Sequence, residues 1–68
     1  MKPLTAKETE QYLRRYGYML DHVNGSHYIW INPITGKSVP VPHHGNRPIK
    51  QGTLLAIFRG AGIPRPMR

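Results

Sequence analysis

The sequence predicts an α+β fold in the order α-β-β-β-α, with a three-stranded antiparallel sheet and both helices on one face. Three observations carry that prediction. Segments near each end of the chain repeat apolar residues at helical spacing. Between them lie runs rich in β-branched and aromatic residues, separated by Asn-Gly and by Asn-Pro-Ile-Thr-Gly, both turn-forming. The last of these runs carries two prolines, which lack a ladder donor and so belong at a sheet edge.

Thr5-Ala6-Lys7-Glu8 has the spacing of a capping box, in which the Thr oxygen accepts from the third backbone N–H and the Glu reaches back. Ala6, Thr9, Tyr12, Leu13 and Tyr16 then recur at helical spacing. Arg14 and Arg15 suit the negative end of the helix dipole, and Gly17 can take the left-handed conformation that ends a helix. The first helix is therefore predicted over 6–16. Tyr18 to Val23 and Ser26 to Asn32 read as the first two strands. Asn24-Gly25 tolerates positive φ at both corners of a two-residue hairpin. That turn would oppose Val23 to Ser26 and His22 to His27. Asn32 to Gly36 forms a second turn, and Ser38 to Pro42 an extended edge strand. His43 to Pro48 is a polar, basic loop. Leu54, Ile57, Phe58 and Ala61 then mark one face of a second helix, with Gly52 weakening its start and Gly60, Gly62 and Pro64 bracketing its end. The tail from Pro64 to Arg68 is expected to fray. Two helices cover only one face of such a sheet, which leaves the other for a partner.

The 68 residues are expected to form one domain over 1–68, and a chain that short buries only about 60% of the surface its unfolded form exposes. Cysteine is absent, which removes disulfides and thiolate metal sites and fits a reducing cytoplasm. No segment approaches the ~20 apolar residues of a membrane span. The stretch from Met1 to Thr5 leads into polar sequence and not into the apolar core of a signal peptide. Ten Lys and Arg oppose three acids, Glu8, Glu10 and Asp21, for a net charge of +7 with neutral histidines. Charge of that excess, spread along the chain, attracts polyanions. RNA, DNA, a ribosome or an acidic protein would all satisfy it. DNA fits least, since neither helix has a helix-turn-helix partner.

Several residues could carry chemistry. Breaking an RNA linkage requires the 2′-hydroxyl to lose a proton, the leaving 5′-oxygen to gain one, and the charge building on the phosphate to be stabilised. An imidazole, with an ordinary pKa of about 6.5, can serve as acid or base near neutrality, and nearby Lys or Arg can stabilise the phosphate. His27 is the candidate catalyst, with His22 opposite it. His27 also alternates in register with Ile29 and Ile31, so a core-facing, hydrogen-bonded histidine is the competing reading. Lys37, Arg47, Lys50 and Arg59 are the candidate phosphate contacts, against ordinary surface solvation. Tyr28 and Trp30 share one strand face and either stack on bases or, the favoured reading, build the core beneath a helix.

His43-His44 resembles a metal site, but adjacent strand residues point to opposite faces. With no cysteine and three scattered acids, neither structural zinc nor a two-metal nuclease is expected, and no cofactor is. Gly60-Ala61-Gly62 follows a helix and does not open one, so it is not a phosphate loop. Ser26 beside His27 has no convincing orienting acid, since Asp21 on the neighbouring strand is a weak one.

The runs Tyr16-Gly17-Tyr18, Asn24-Gly25-Ser26-His27, Val39-Pro40-Val41-Pro42-His43-His44-Gly45, Ile49-Lys50-Gln51-Gly52-Thr53-Leu54-Leu55-Ala56-Ile57 and Ala61-Gly62-Ile63, in that order, resemble the HicA toxin family over nearly the whole chain. The resemblance implies a fold like a double-stranded RNA-binding domain and an mRNA-cleaving toxin. It makes the histidine of Gly25-Ser26-His27 catalytic and implies a HicB-type antitoxin that binds and blocks the toxin. His22 and Pro48 depart from the family pattern. The sequence-level expectation is a metal-independent endoribonuclease toxin with His27 as general acid or base. Gly25, Ser26, His22, Lys37, Arg47 and Lys50 would support it or hold RNA. The alternatives are a non-catalytic RNA-binding module, which shape and phosphate contacts alone would serve, and a ribosome-associated structural protein.

Overall fold

The computed structural model describes residues 3–64. Helix α1 spans Ala6–Arg15, strands β1, β2 and β3 span Met19–Asn24, His27–Ile31 and Ser38–Pro42, and helix α2 spans Gln51–Ala61. The strands form one antiparallel sheet in the order β1-β2-β3. This is the predicted α-β-β-β-α architecture. The tail from Arg65 onward lies outside the described residues.

The capping box forms as the sequence predicts: Glu8 N–H donates to Thr5 Oγ1 at 3.3 Å and Thr5 N–H to Glu8 Oε1 at 2.9 Å. The helix closes in the expected way too. Gly17 sits at φ 88°, Gly17 N–H donates to Arg14 O and Tyr18 N–H to Leu13 O, the paired bonds of a Schellman ending. The buried stripe of α1 is Ala6, Thr9, Glu10 and Leu13. Tyr16, expected on that face, is exposed, and Tyr12 is half-buried. The stripe is thus rotated to admit a carboxylate. On α2 all four predicted residues, Leu54, Ile57, Phe58 and Ala61, are buried, and Gly62 caps the helix at φ 68°.

Both helices pack on the β3 side of the sheet. Trp30, Phe58, Leu13, Leu54 and Val41 are the largest fully buried side chains, and burying each contributes about 1.5–3 kcal/mol relative to exposure. Tyr12 meets Phe58 edge-on, with ring centroids 6.1 Å apart. The Tyr18 hydroxyl donates to Ala61 O at 2.7 Å, tying the entry of β1 to the end of α2, and burial raises the pKa of that phenol.

The β1–β2 register corrects the predicted hairpin. Asn24 pairs with His27, Val23 with Tyr28 and His22 with Ile29, so Gly25 and Ser26 form the turn. Positive φ falls on Gly25 (62°) as the first corner, which glycine takes without strain and which leaves Asn24 as the last strand residue. His22 is therefore not opposite His27. A bulge between Leu20 and His22 shifts the rest of the strand.

In β2–β3, Tyr28 pairs with Val41 and Trp30 with Val39, forming the face under the helices, while His27, Ile29 and Ile31 pair with Pro42, Pro40 and Ser38 on the other face. The strict alternation expected for His27 holds, but its side chain is exposed and not part of the core. The prolines have no ladder donor, so the bonds from β3 fall on alternate residues. His43, next in that series, donates its N–H to Ser26 O at 2.8 Å.

Candidate functional site

His27 opens β2 directly after the Gly25-Ser26 turn and is exposed. Asn24 flanks it on one side and Pro42 on the other. Past Pro42 the two adjacent histidines diverge. His43 shares its face with Val39 and Val41 and turns to the core side. Its ring stacks on Tyr28 with centroids 3.8 Å apart, and its Nε2 lies 2.8 Å from Glu10 Oε2. The same Glu10 oxygen accepts from Trp30 Nε1 at 2.8 Å. Glu10, 7% exposed, thus serves an indole and an imidazole at once.

His44 lies beyond the end of β3 and lines the same cleft as His27. Arg47 N–H donates to His44 O at 3.3 Å, and Gly45 takes φ 65°, so residues 44–47 form a tight turn. The ends of such a turn lie within about 7 Å at Cα, which sets Arg47 beside His44. Lys50 then caps α2 from outside, without a capping side-chain bond. His27, Pro42, His44, Arg47, Lys50 and Thr53 together line an open cleft of about 480 Å³. A second groove of about 280 Å³, between β3 and α2, also has His27 in its wall, beside Pro40, Ala56 and Gly60.

Among the described residues no carboxylate lines the cleft. The three acids are held elsewhere: Glu8 closes the capping box, Glu10 lies under Trp30, and Asp21 Oδ2 is 2.7 Å from His22 Nδ1. The positive field of Arg47 and Lys50 therefore meets no opposing charge within the cleft. It suits a phosphate beside an imidazole. The start of α2, whose first N–H groups carry partial positive charge, adds to the same field. Among the described residues no group of three His, Cys, Asp or Glu could hold a metal ion, and no helix is long and apolar enough to cross a membrane.

Of the residues singled out by sequence, His27, Arg47 and Lys50 come together, and Gly25 and Ser26 form the turn that presents His27. The others do not join them. His22 stands opposite Ile29, bound to Asp21. The Lys37 ammonium group lies against Gly62, where it complements the C-terminal end of the α2 dipole. Arg59 lines a different groove with Phe58 and Ile63. Trp30 is core, and Tyr28 is half-buried against His43.

Sequence reasoning missed His44 and the Glu10 cluster. Both left a signal. Glu10 falls between Ala6, Thr9 and Leu13 on one helical face, and a core tryptophan needs an acceptor for its N–H. Opposite-facing neighbours, used against a metal at His43-His44, also imply that one of the two shares the face of His27.

The family model described as the HicA toxin of bacterial toxin–antitoxin systems matches residues 6–63. No curated protein matches the chain.

Proposed function

The chain belongs to the HicA toxin family, and is a toxin of a toxin–antitoxin system; from that premise we propose that it is a metal-independent endoribonuclease that cleaves mRNA in the cytoplasm with His27 as general acid or base. The observation that carries this reading is the exposed His27 imidazole in the wall of a cleft lined by Arg47 and Lys50 and free of carboxylates.

In the proposed reaction the 2′-hydroxyl loses its proton and its oxygen bonds to the adjacent phosphorus. The bond from phosphorus to the 5′-oxygen breaks, and that oxygen takes up a proton. His27 carries one of the two transfers, a contribution of typically 10²–10⁴-fold. Arg47 and Lys50 hold the phosphate and stabilise the charge that grows on it. Lys37, Arg59 and His22 have no part in the chemical step. On this reading a HicB-type antitoxin blocks the toxin by placing acidic groups over the same cleft, where they stand in for phosphates.

The test is expression of wild type beside His27→Ala, with growth and RNA integrity read together. Wild type should arrest growth and fragment mRNA, and the variant should do neither. Intact RNA with purified wild type, together with a salt-sensitive mobility shift, would replace this reading with the non-catalytic RNA-binding module.

A further inference from the structure

We infer that His44 is the second proton-transfer group of the cleft, paired with His27 across the scissile phosphate; this rests on the ribonuclease reading above. In-line displacement at phosphorus needs two transfers at opposite apical oxygens, so one imidazole cannot serve both at the same moment. The second group must face the same cleft from another element and must titrate near neutrality.

The four histidines sort cleanly by place. His22 lies off the cleft on β1, its Nδ1 2.7 Å from Asp21 Oδ2. His43 is turned to the core side, bound to Glu10 and stacked on Tyr28. Only His27 and His44 line the cleft, one from the start of β2 and the other from the turn that follows β3. Their nearness follows from the ladder: Pro42 is the direct partner of His27, and His44 lies two residues beyond Pro42. Two residues of chain span at most about 7 Å, so the backbones of the two histidines stay close while one ring enters the cleft from β2 and the other from the turn after β3. The remaining polar groups facing the pair are Arg47, Lys50 and Thr53. Guanidinium and ammonium groups serve a phosphate chiefly as hydrogen-bond donors and positive charge, and a hydroxyl is a far weaker acid and base than imidazole.

The step balances with these two groups alone. The neutral ring takes the 2′-hydroxyl proton as the 2′-oxygen bonds to phosphorus. The protonated ring gives its proton to the 5′-oxygen as the bond from phosphorus breaks. The products are a cyclic 2′,3′-phosphate and a free 5′-hydroxyl, and the pair ends with its protonation states exchanged.

The experiment measures the cleavage rate of a long single-stranded transcript against pH for purified wild type, His27→Ala, His44→Ala and His44→Gln. Wild type should show a bell-shaped profile, since one ring must be charged and the other neutral. Both His44 variants should bind the transcript as wild type does, cut it roughly 10²–10⁴-fold more slowly, and lose one limb of the bell. A His44 variant within a few-fold of wild type with both limbs intact would overturn the inference. So would loss of the limb in His22→Ala in place of the His44 variants. Failure of the ribonuclease reading looks different: wild type itself would leave the transcript whole at every pH. His44 is exposed, so unchanged thermal midpoints should show that its variants fold.

Discussion

His43 and His44 are adjacent in sequence and stand in two regions with opposite economies. His43 belongs to a polar cluster under the helices, where Glu10 Oε2 holds both its ring and the Trp30 indole at 2.8 Å. His44 belongs to the open cleft with His27, Arg47 and Lys50. In the first region no fully buried side-chain polar atom lacks a partner, as burial demands. In the second, like-charged groups converge without a carboxylate, which stabilises nothing in the free protein. Residue type is the same on both sides. What separates them is one residue past the end of β3: His43 still donates to Ser26 O in the ladder, while His44 begins the turn to Arg47, so one imidazole goes to structure and the other to solvent.

The sharpest way to break this division is to remove His27. His27→Ala should lower RNA cleavage by roughly 10²–10⁴-fold while leaving stability within about 0.5 kcal/mol, as for an exposed side chain. Single-turnover cleavage beside a thermal melt reads both quantities on one preparation. A large fall in melting temperature would move His27 from the cleft's role to the cluster's.

The converse substitution is Glu10→Ala. It leaves the Trp30 N–H and the His43 ring without their acceptor inside the protein, a cost of about 1–3 kcal/mol. For a domain of this size each kcal/mol shifts the melting midpoint by about 4–8 °C. Cleavage per folded molecule should persist at low temperature, because Glu10 faces away from the cleft. An unaltered melt would mean that the cluster contributes no net stability.

How far these regions were legible in the sequence follows from what each depends on. The elements of the fold were legible because each has local causes: Thr5 and Glu8 start α1, Gly17 ends it, and Leu54, Ile57, Phe58 and Ala61 define the inner face of α2. The hairpin register was not. Asn24-Gly25 and Gly25-Ser26 are both acceptable corners, and only pairing along the whole of β1, bulge included, decides between them. His27, Arg47 and Lys50 could be singled out as types. Lys37 looked equivalent to them, yet its place beside Gly62 is set by where β3 begins relative to the end of α2, a tertiary fact. Glu10 was the readable signal passed over, a carboxylate on a buried helical face.

A finer test concerns the cations of the cleft. Arg47→Ala and Lys50→Ala should each weaken RNA binding about equally across sequences and reduce the salt slope by about 1. The same substitutions should slow association with a HicB-type antitoxin more in low salt than in high salt. Lys37→Ala, at the far end of β3, should do neither. Binding titrations at several salt concentrations separate the three. An equal effect from Lys37 would show that the field of the whole molecule matters and the cleft does not.

The smallest expected effect is that of a chelator. On the proposed mechanism, cleavage through two imidazoles and two fixed cations would ask nothing of a divalent ion, because Arg47 and Lys50 would supply the positive charge that a metal brings to a phosphate. The donors such an ion prefers are committed elsewhere: Glu10 to Trp30 and His43, Asp21 to His22, and Glu8 to the start of α1. EDTA should therefore leave the cleavage rate of purified protein within experimental scatter. A rate that collapses in EDTA and returns with added magnesium or manganese would place a metal at the phosphate. The cleft would then need a carboxylate from the RNA-bound state or from a partner, and the contrast between a self-satisfied cluster and a self-sufficient catalytic cleft would fail.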